Sequence, residues 1–304
     1  MAHANIYNNT EGIYRSVGCI SLQNYGFSFE QPFKEYMMPV GDGVTLLEAC
    51  VLNCLNYGVD SIWITVNDDQ LPYAKKCLGE MGYDPVRFYD PFSINKKDQR
   101  KRVSIYFVPT LTKYRDYCDN YTFGFINAGL TAKKVYGHIS KHCEPDYYFL
   151  SSPFGILDYK EIRANRKKYK SGNRQSLFTS HGKSALSANH LPLCINKQTL
   201  INLEKHVLSN STKMYKSSEQ LSKSGIPVEL LPREERYRGK KLSMKEVYSC
   251  LDKEKFDCYE LSWFYNITNW QDYRKYILSG KEVKHTNILR RDYVTYPLLD
   301  TGED

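Results

Sequence analysis

The fold is decided by one stretch, Gly18 to Asn67. It opens on Gly18-Cys19-Ile20-Ser21-Leu22, a short apolar run, and passes into the polar, glycine-containing Gln23-Asn24-Tyr25-Gly26-Phe27-Ser28. Gln31-Pro32-Phe33-Lys34 and Met37-Met38-Pro39-Val40 follow. Thr45-Leu46-Leu47-Glu48-Ala49-Cys50-Val51-Leu52-Asn53-Cys54-Leu55 then carries apolar residues at helical spacing. Gly58-Val59 ends that helix, and Ser61-Ile62-Trp63-Ile64-Thr65-Val66 is a second apolar run of strand length. Strands buried on both faces read as continuous apolar runs, and two of them joined through a helix must lie parallel. Strand, loop, helix and strand make the βαβ unit in which α/β proteins hold phosphates.

Working outward, the alternation continues. Leu71 to Met81 suits a helix closed by Gly82, and Val86-Arg87-Phe88-Tyr89 and Val103-Ser104-Ile105-Tyr106-Phe107-Val108 read as strands. Thr131 to His142 is predicted helical, leading into Asp146-Tyr147-Tyr148-Phe149-Leu150, a central-strand pattern. Alternating elements predict a three-layer α/β/α fold around a mostly parallel sheet. Beyond Asp158 the chain becomes more basic and polar, with strands at Leu193-Cys194-Ile195 and Tyr259 to Phe264 and a closing helix over Asp272 to Leu278. The expected organisation is a nucleotide-binding half over 1–157, an acceptor or sugar-side half with a basic polar insertion over 158–289, and a tail over 290–304.

Composition narrows the function classes. The 304 residues are 41% hydrophobic and 14% aromatic, enough for a large core, and they include 26 tyrosines. The formal charge of +8 favours an anionic partner. Nine cysteines without a CxxC pair argue against a disulfide framework or zinc ribbon. No secretory leader is apparent and no apolar run approaches eighteen residues, so a cytoplasmic protein that spans no membrane is expected. His138, His142 and Cys143 sit at helical spacing without a fourth partner, which reads as a helix face rather than a metal site. Asp68-Asp69 reads as the cap of the helix beginning near Leu71.

These pieces, in this order, resemble the sugar-phosphate nucleotidylyltransferases, whose sheet is of the nucleotide-diphospho-sugar transferase (glycosyltransferase-A) type. The resemblance rests on Gly18-Cys19-Ile20, Tyr25-Gly26, Pro32-Phe33-Lys34, Met38-Pro39-Val40, Thr45-Leu46-Leu47-Glu48 and Gly58-Val59-Asp60-Ser61-Ile62. Phe123-Gly124-Phe125-Ile126-Asn127-Ala128-Gly129 resembles the family's base-side segment ahead of its central helix. Trp263 to Tyr273 resembles its terminal acidic segment. The resemblance implies a nucleotide or nucleotide-sugar ligand, contacted by Leu22, Gln23, Asn24, Tyr25 and Gly26, by Gly124, Asn127 and Ala128, and by Asn266. Lys34 would lie on phosphate, and magnesium or manganese would serve as cofactor.

The departures are as informative. No Arg stands between Gly26 and Lys34. The two positions where the family places metal-binding Asp read Ser152 and Asn266. A neutral pair holds a hard cation far more weakly than carboxylates do. Three readings therefore remain: nucleotidyl transfer to a sugar-1-phosphate, sugar transfer from a nucleotide-sugar to nucleic acid, and a catalytically degenerate relative serving as a binding or structural module. Nucleic acid enters through three basic clusters, Lys96 to Arg102, Arg163 to Lys170 and Arg233 to Lys241. The alternative for each cluster is a solvated basic loop.

Overall fold

A computed structural model describes residues 15–23, 34–41, 43–88, 100–109, 120–170, 175–210, 213–215, 237–239 and 242–284. The opening unit forms as its sequence dictates. Strand β1 (Ser16–Ser21) is buried throughout. The hairpin β2 (Pro39–Gly41) and β3 (Val44–Thr45) feeds helix α1 (Leu46–Tyr57). Thr45 caps α1 through a capping box with Glu48, and Gly58, at φ 87°, closes it in the left-handed region that glycine adopts without strain. Strand β4 (Ser61–Val66) then pairs parallel with β1, Gly18 opposite Ile62.

The next segment differs from expectation. Helix α2 (Leu71–Leu78) stops at Gly79, and Met81 and Gly82 belong to β5 (Met81–Phe88). β5 runs antiparallel to β6 (Arg100–Pro109), so pairing to β6 draws the chain out of the helix before the predicted boundary. Asp68 and Asp69 do not cap α2; its N-cap is Gln70, which makes no side-chain cap bond. Helix α3 (Asn120–Ile139) then begins eleven residues ahead of the expected Thr131.

Strand β7 (Tyr147–Leu150) returns the chain to the far side of β1, again parallel. A short strand β8 (Gly155–Leu157) and helices α4 (Tyr159–Ala164) and α5 (Arg166–Lys170) precede β9 (Gln175–Ser180), β10 (Lys183–Ser184) and β11 (Leu193–Asn196). Helix α6 (Lys197–Asn210), the backbone pair β12 (Lys213–Tyr215) and β13 (Tyr237–Gly239), and α7 (Met244–Tyr248) follow. The expected strand over Tyr259 to Phe264 divides into β14 (Phe256–Glu260), beside β9, and β15 (Phe264–Asn266), beside β8. Helix α8 (Trp270–Leu278) ends the described chain apart from a short extension to residue 284.

The nine-stranded sheet has the order β10-β9-β11-β7-β1-β4-β6-β5, with β14 also on β9. Its centre, β7-β1-β4-β6, is parallel throughout. A Cβ built on Gly18 would lie 3.0 Å from Cys54 Sγ of α1, and one built on Gly124 of α3 would lie 2.1 Å from Ser21 Oγ. Residues 18 and 21 point to opposite faces of a strand, so α1 and α3 cover opposite faces and the architecture is three-layered.

Between the layers lies a buried ion pair. Arg166 donates to both carboxylate oxygens of Asp84, at 2.6 and 2.7 Å, with both side chains at 2% exposure or less. Burial pushes the Asp84 carboxyl up, but the two Arg166 bonds and the Val86 and Arg87 amides hold it below its ordinary value. Lys170 reaches Gly58 O and Ser16 Oγ. Two cations of the second basic cluster are therefore internal pins, leaving Arg163, Lys167 and Lys168 exposed within Arg163 to Lys170. The first cluster lies partly, and Arg233 to Lys241 mostly, outside the described residues, as does the 290–304 tail.

Candidate functional site

The chain leaves β1, steps outward through β4 to β6, and comes back through α3 to β7 on the other side of β1. Where strand order reverses in this way, the carboxyl ends of the two strands diverge and open a crevice for ligand. Here that edge is formed by the residues following β1 and β7 and by the first half of α3.

On the β1 side, Leu22 is buried and its N–H extends the ladder to Thr65 O at 2.8 Å. Gln23 is 4% exposed, and its Nε2 is a buried donor with no hydrogen-bond partner. Asn24, Tyr25 and Gly26 lie outside the described residues. Gly124, Asn127 and Ala128 are inside α3, not ahead of it, because their side is packed directly on the sheet. Thr65 Oγ1 donates to Gly124 O at 2.7 Å, and Asn127 Nδ2 donates to Pro109 O at 3.3 Å while Asn127 Oδ1 is buried and unpartnered. Gln23 Cγ would stand 3.3 Å from a Cβ on Gly124, so the first turns of α3 and the end of β1 touch. Gly124→Ala would force them apart. We expect a loss of about 1–3 kcal/mol in urea denaturation, typical of overpacking.

Lys34 precedes a short 3-10 turn, Glu35–Met37, and is substantially exposed. Its ammonium stands 3.4 Å from Asp69 Oδ2, a solvent-exposed surface pair.

The β7 side is the most distinctive part. Ser152 and Asn266, 114 positions apart, are brought to one spot by His190. Ser152 Oγ lies 2.9 Å from His190 Nδ1, bonds the Tyr121 hydroxyl, and accepts the Phe154 N–H at 3.2 Å. Asn266 Oδ1 accepts the His190 N–H at 2.9 Å. The convergence has a local cause. β15 pairs antiparallel with β8, placing Asn266 opposite Gly155, and Ile267 N–H donates to Phe154 O. Gly155 has no side chain because a Cβ there would lie 2.0 Å from His190 O. The His190 ring packs edge-on against Tyr121 and Phe154, and burial pushes its pKa down to about 3, so the imidazole is neutral.

A divalent cation does not fit this donor set. It would meet one neutral hydroxyl and one neutral amide oxygen, both already hydrogen-bonded, where hard cations require anionic oxygens. The nearest acidic candidates in sequence are engaged elsewhere. Asp158 caps α4, and Asp272 bonds Thr268 and Asn269 at the start of α8. Among the described residues no three His, Cys, Asp or Glu side chains gather into a metal-binding group. Sequence reading missed Tyr121 and His190 entirely; neither stands in a motif, and only the fold brings them to Ser152.

The fold is similar to that of solved structures described as nucleotidyltransferases. A Bacillus anthracis structure described as a glucose-1-phosphate thymidylyltransferase superposes with a TM-score of 0.54 at 9% identity, covering 90% of this chain and 98% of that one. The inositol-1-phosphate CTP transferase of T. maritima aligns at 0.49 and 11% identity, over 88% of this chain and 96% of that chain. A nucleotidyl transferase from Methanothermobacter aligns at 0.49 and 13% identity, over 88% and 100%. At 9% identity the likeness to the Bacillus anthracis structure establishes the fold alone. No family profile and no curated protein sequence matches. Among the described residues no helix is long and apolar enough to cross a membrane.

Proposed function

We propose that this protein binds a nucleotide or nucleotide-sugar in the crevice between β1, β7 and α3, and does so without a divalent metal. The observation that carries the reading is the neutral Ser152–His190–Asn266 link at the two positions where the resemblance calls for metal-binding carboxylates. Gln23 Nε2 supplies a buried donor at the carboxyl end of β1, chemistry suited to the edge of a base. Phosphoryl-type transfer draws its rate from positioning and charge neutralisation. With a neutral hydroxyl and amide at positions 152 and 266, the arrangement favours a binding module over a nucleotidyl transferase.

The test is a thermal-shift panel of nucleoside triphosphates and nucleotide-sugars, each with and without magnesium or manganese. At about 100 times its Kd a ligand adds about 2.7 kcal/mol of stability. The expected result is a shift that is the same with and without metal and smaller in Gln23→Ala. A shift that appears only with metal, or turnover of a triphosphate with a sugar-1-phosphate, would overturn the metal-free reading. No shift with any ligand would overturn nucleotide binding itself.

A further inference from the structure

The fold explains only part of the second basic cluster. Arg166 and Lys170 turn inward to Asp84 and Gly58, but Lys160, Arg163, Lys167 and Lys168 are exposed along α4 and α5, over buried Tyr159, Ile162 and Tyr169. Two distant segments are pinned beside this stripe. Ser262, between β14 and β15, donates to Glu161 Oε2 through its N–H at 3.0 Å and its hydroxyl at 2.8 Å. The Tyr159 hydroxyl donates to Lys284 O at 3.2 Å, so the chain after α8 brings exposed Lys281 and Lys284 to the same side. Among the described residues no ion pair engages Lys160, Arg163, Lys167, Lys281 or Lys284. On α4 and α5 the acids are Asp158, at the N-cap of α4, and Glu161, held by Ser262. The outer stripe is therefore cationic.

Aromatic rings lie among these cations. Lys168 Nζ stands 5.4 Å from the centre of the Tyr259 ring, and Lys281 Nζ 5.9 Å from that of Trp263, whose ring is 6.1 Å from Tyr265. All three rings are half-buried, and Asn266, next in the chain, holds the His190 N–H beside the crevice. The surface therefore runs up to the crevice wall. Cations repeated along a stripe with rings among them suit a partner that repeats phosphates with bases between them. Only unpaired bases present a face to such rings, which selects a single strand over a duplex. A lipid surface would need apolar side chains to take in. None of the exposed large apolar residues of the described chain lies on α4, α5 or residues 259–265.

We propose that this surface docks single-stranded nucleic acid alongside the crevice, which goes beyond nucleotide binding and does not rest on it. The probe is a fluorescein-labelled oligothymidylate of about 15 nucleotides, followed by fluorescence anisotropy with the full chain. It should bind more tightly than a duplex of equal length, and its affinity should fall steeply with added salt. Lys160→Glu, Arg163→Glu and Lys167→Glu combined leave Arg166 in place, and should weaken binding by about a hundredfold and flatten the salt dependence. Trp263→Ala should weaken it by about tenfold. Lys205→Glu, Lys245→Glu and Lys253→Glu make the same change of charge at other exposed positions and should cost no more than about threefold. Gln23→Ala should change nothing. No binding, a duplex bound as tightly, or an equal loss in the two triple variants would overturn the proposal. So would an equal loss in Gln23→Ala, which would put the strand in the crevice, or capture by phosphatidylserine vesicles with none by the oligonucleotide.

Discussion

Arg166→Met should destabilise the fold by about 3–5 kcal/mol, the typical cost of stranding one member of a buried ion pair. The reasoning runs from geometry. Asp84 is fully buried, and Arg166 supplies both of the charge-assisted bonds that let it remain ionised there. Removing the guanidinium leaves a carboxylate that must either stay charged in a dry environment or take up a proton. Asp84→Asn combined with Arg166→Met should recover much of the loss, because the amide oxygen still accepts the Val86 and Arg87 N–H groups at 2.9 and 3.1 Å. Gly58→Ala strikes the same pair from above, since its Cβ would lie 2.1 Å from Arg166 Cζ and its backbone sits at φ 87°. Urea denaturation of the three variants checks this. A single-variant loss below about 1 kcal/mol would mean the pair contributes no more than a surface bridge.

The second large effect is a dependence of stability on pH set by His190. Its folded pKa, about 3, lies below the ordinary histidine value of 6.5, so the unfolded chain binds the extra proton more readily. Stability is therefore complete above pH 6.5 and falls as pH drops toward 3, by up to about 1.4 kcal/mol per pH unit. The carboxylates held below their ordinary values, Asp60 and Asp84 (3.8) and Glu144 and Glu260 (4.5), lose their contribution only as pH falls below those values toward their folded ones. Any loss between pH 6.5 and 4.5 thus belongs to the histidine among these groups. His190→Asn keeps a short polar group near Ser152 and removes the titration. Its denaturation midpoint should be flat across that interval where the parent slopes. An unchanged slope in the variant would show that another group is responsible.

Much of the fold could be read along the chain because its cues are local. The apolar runs of β1 and β4 and the helix end at Gly58 each act within a few residues, and the structure has two strands and a helix end there. Boundaries that depend on a distant partner were read wrongly. α2 ends at Gly79 because β5 pairs with β6, and α3 begins at Asn120 because its first turns pack on Ser21 and Thr65. Charge patterning failed for the same reason. Arg166 and Lys170 look like part of a solvated basic run, yet the turn of α5 carries them into Asp84 and Gly58.

The candidate site divides along the same line. Sequence by itself determined that the strand–loop–helix–strand unit would put Leu22 and Gln23 at a strand's carboxyl end, and that positions 152 and 266 carry no carboxylate. Residue identity and short-range periodicity suffice for both. Only the tertiary structure decided what stands there instead. Tyr121, Ser152, His190 and Asn266 come from four separate segments, and their bonds exist because β8 pairs with β15 and Gly155 admits the His190 backbone. Long-range contacts of this kind arise when separate elements bury their surfaces together, and no local pattern in the chain encodes them.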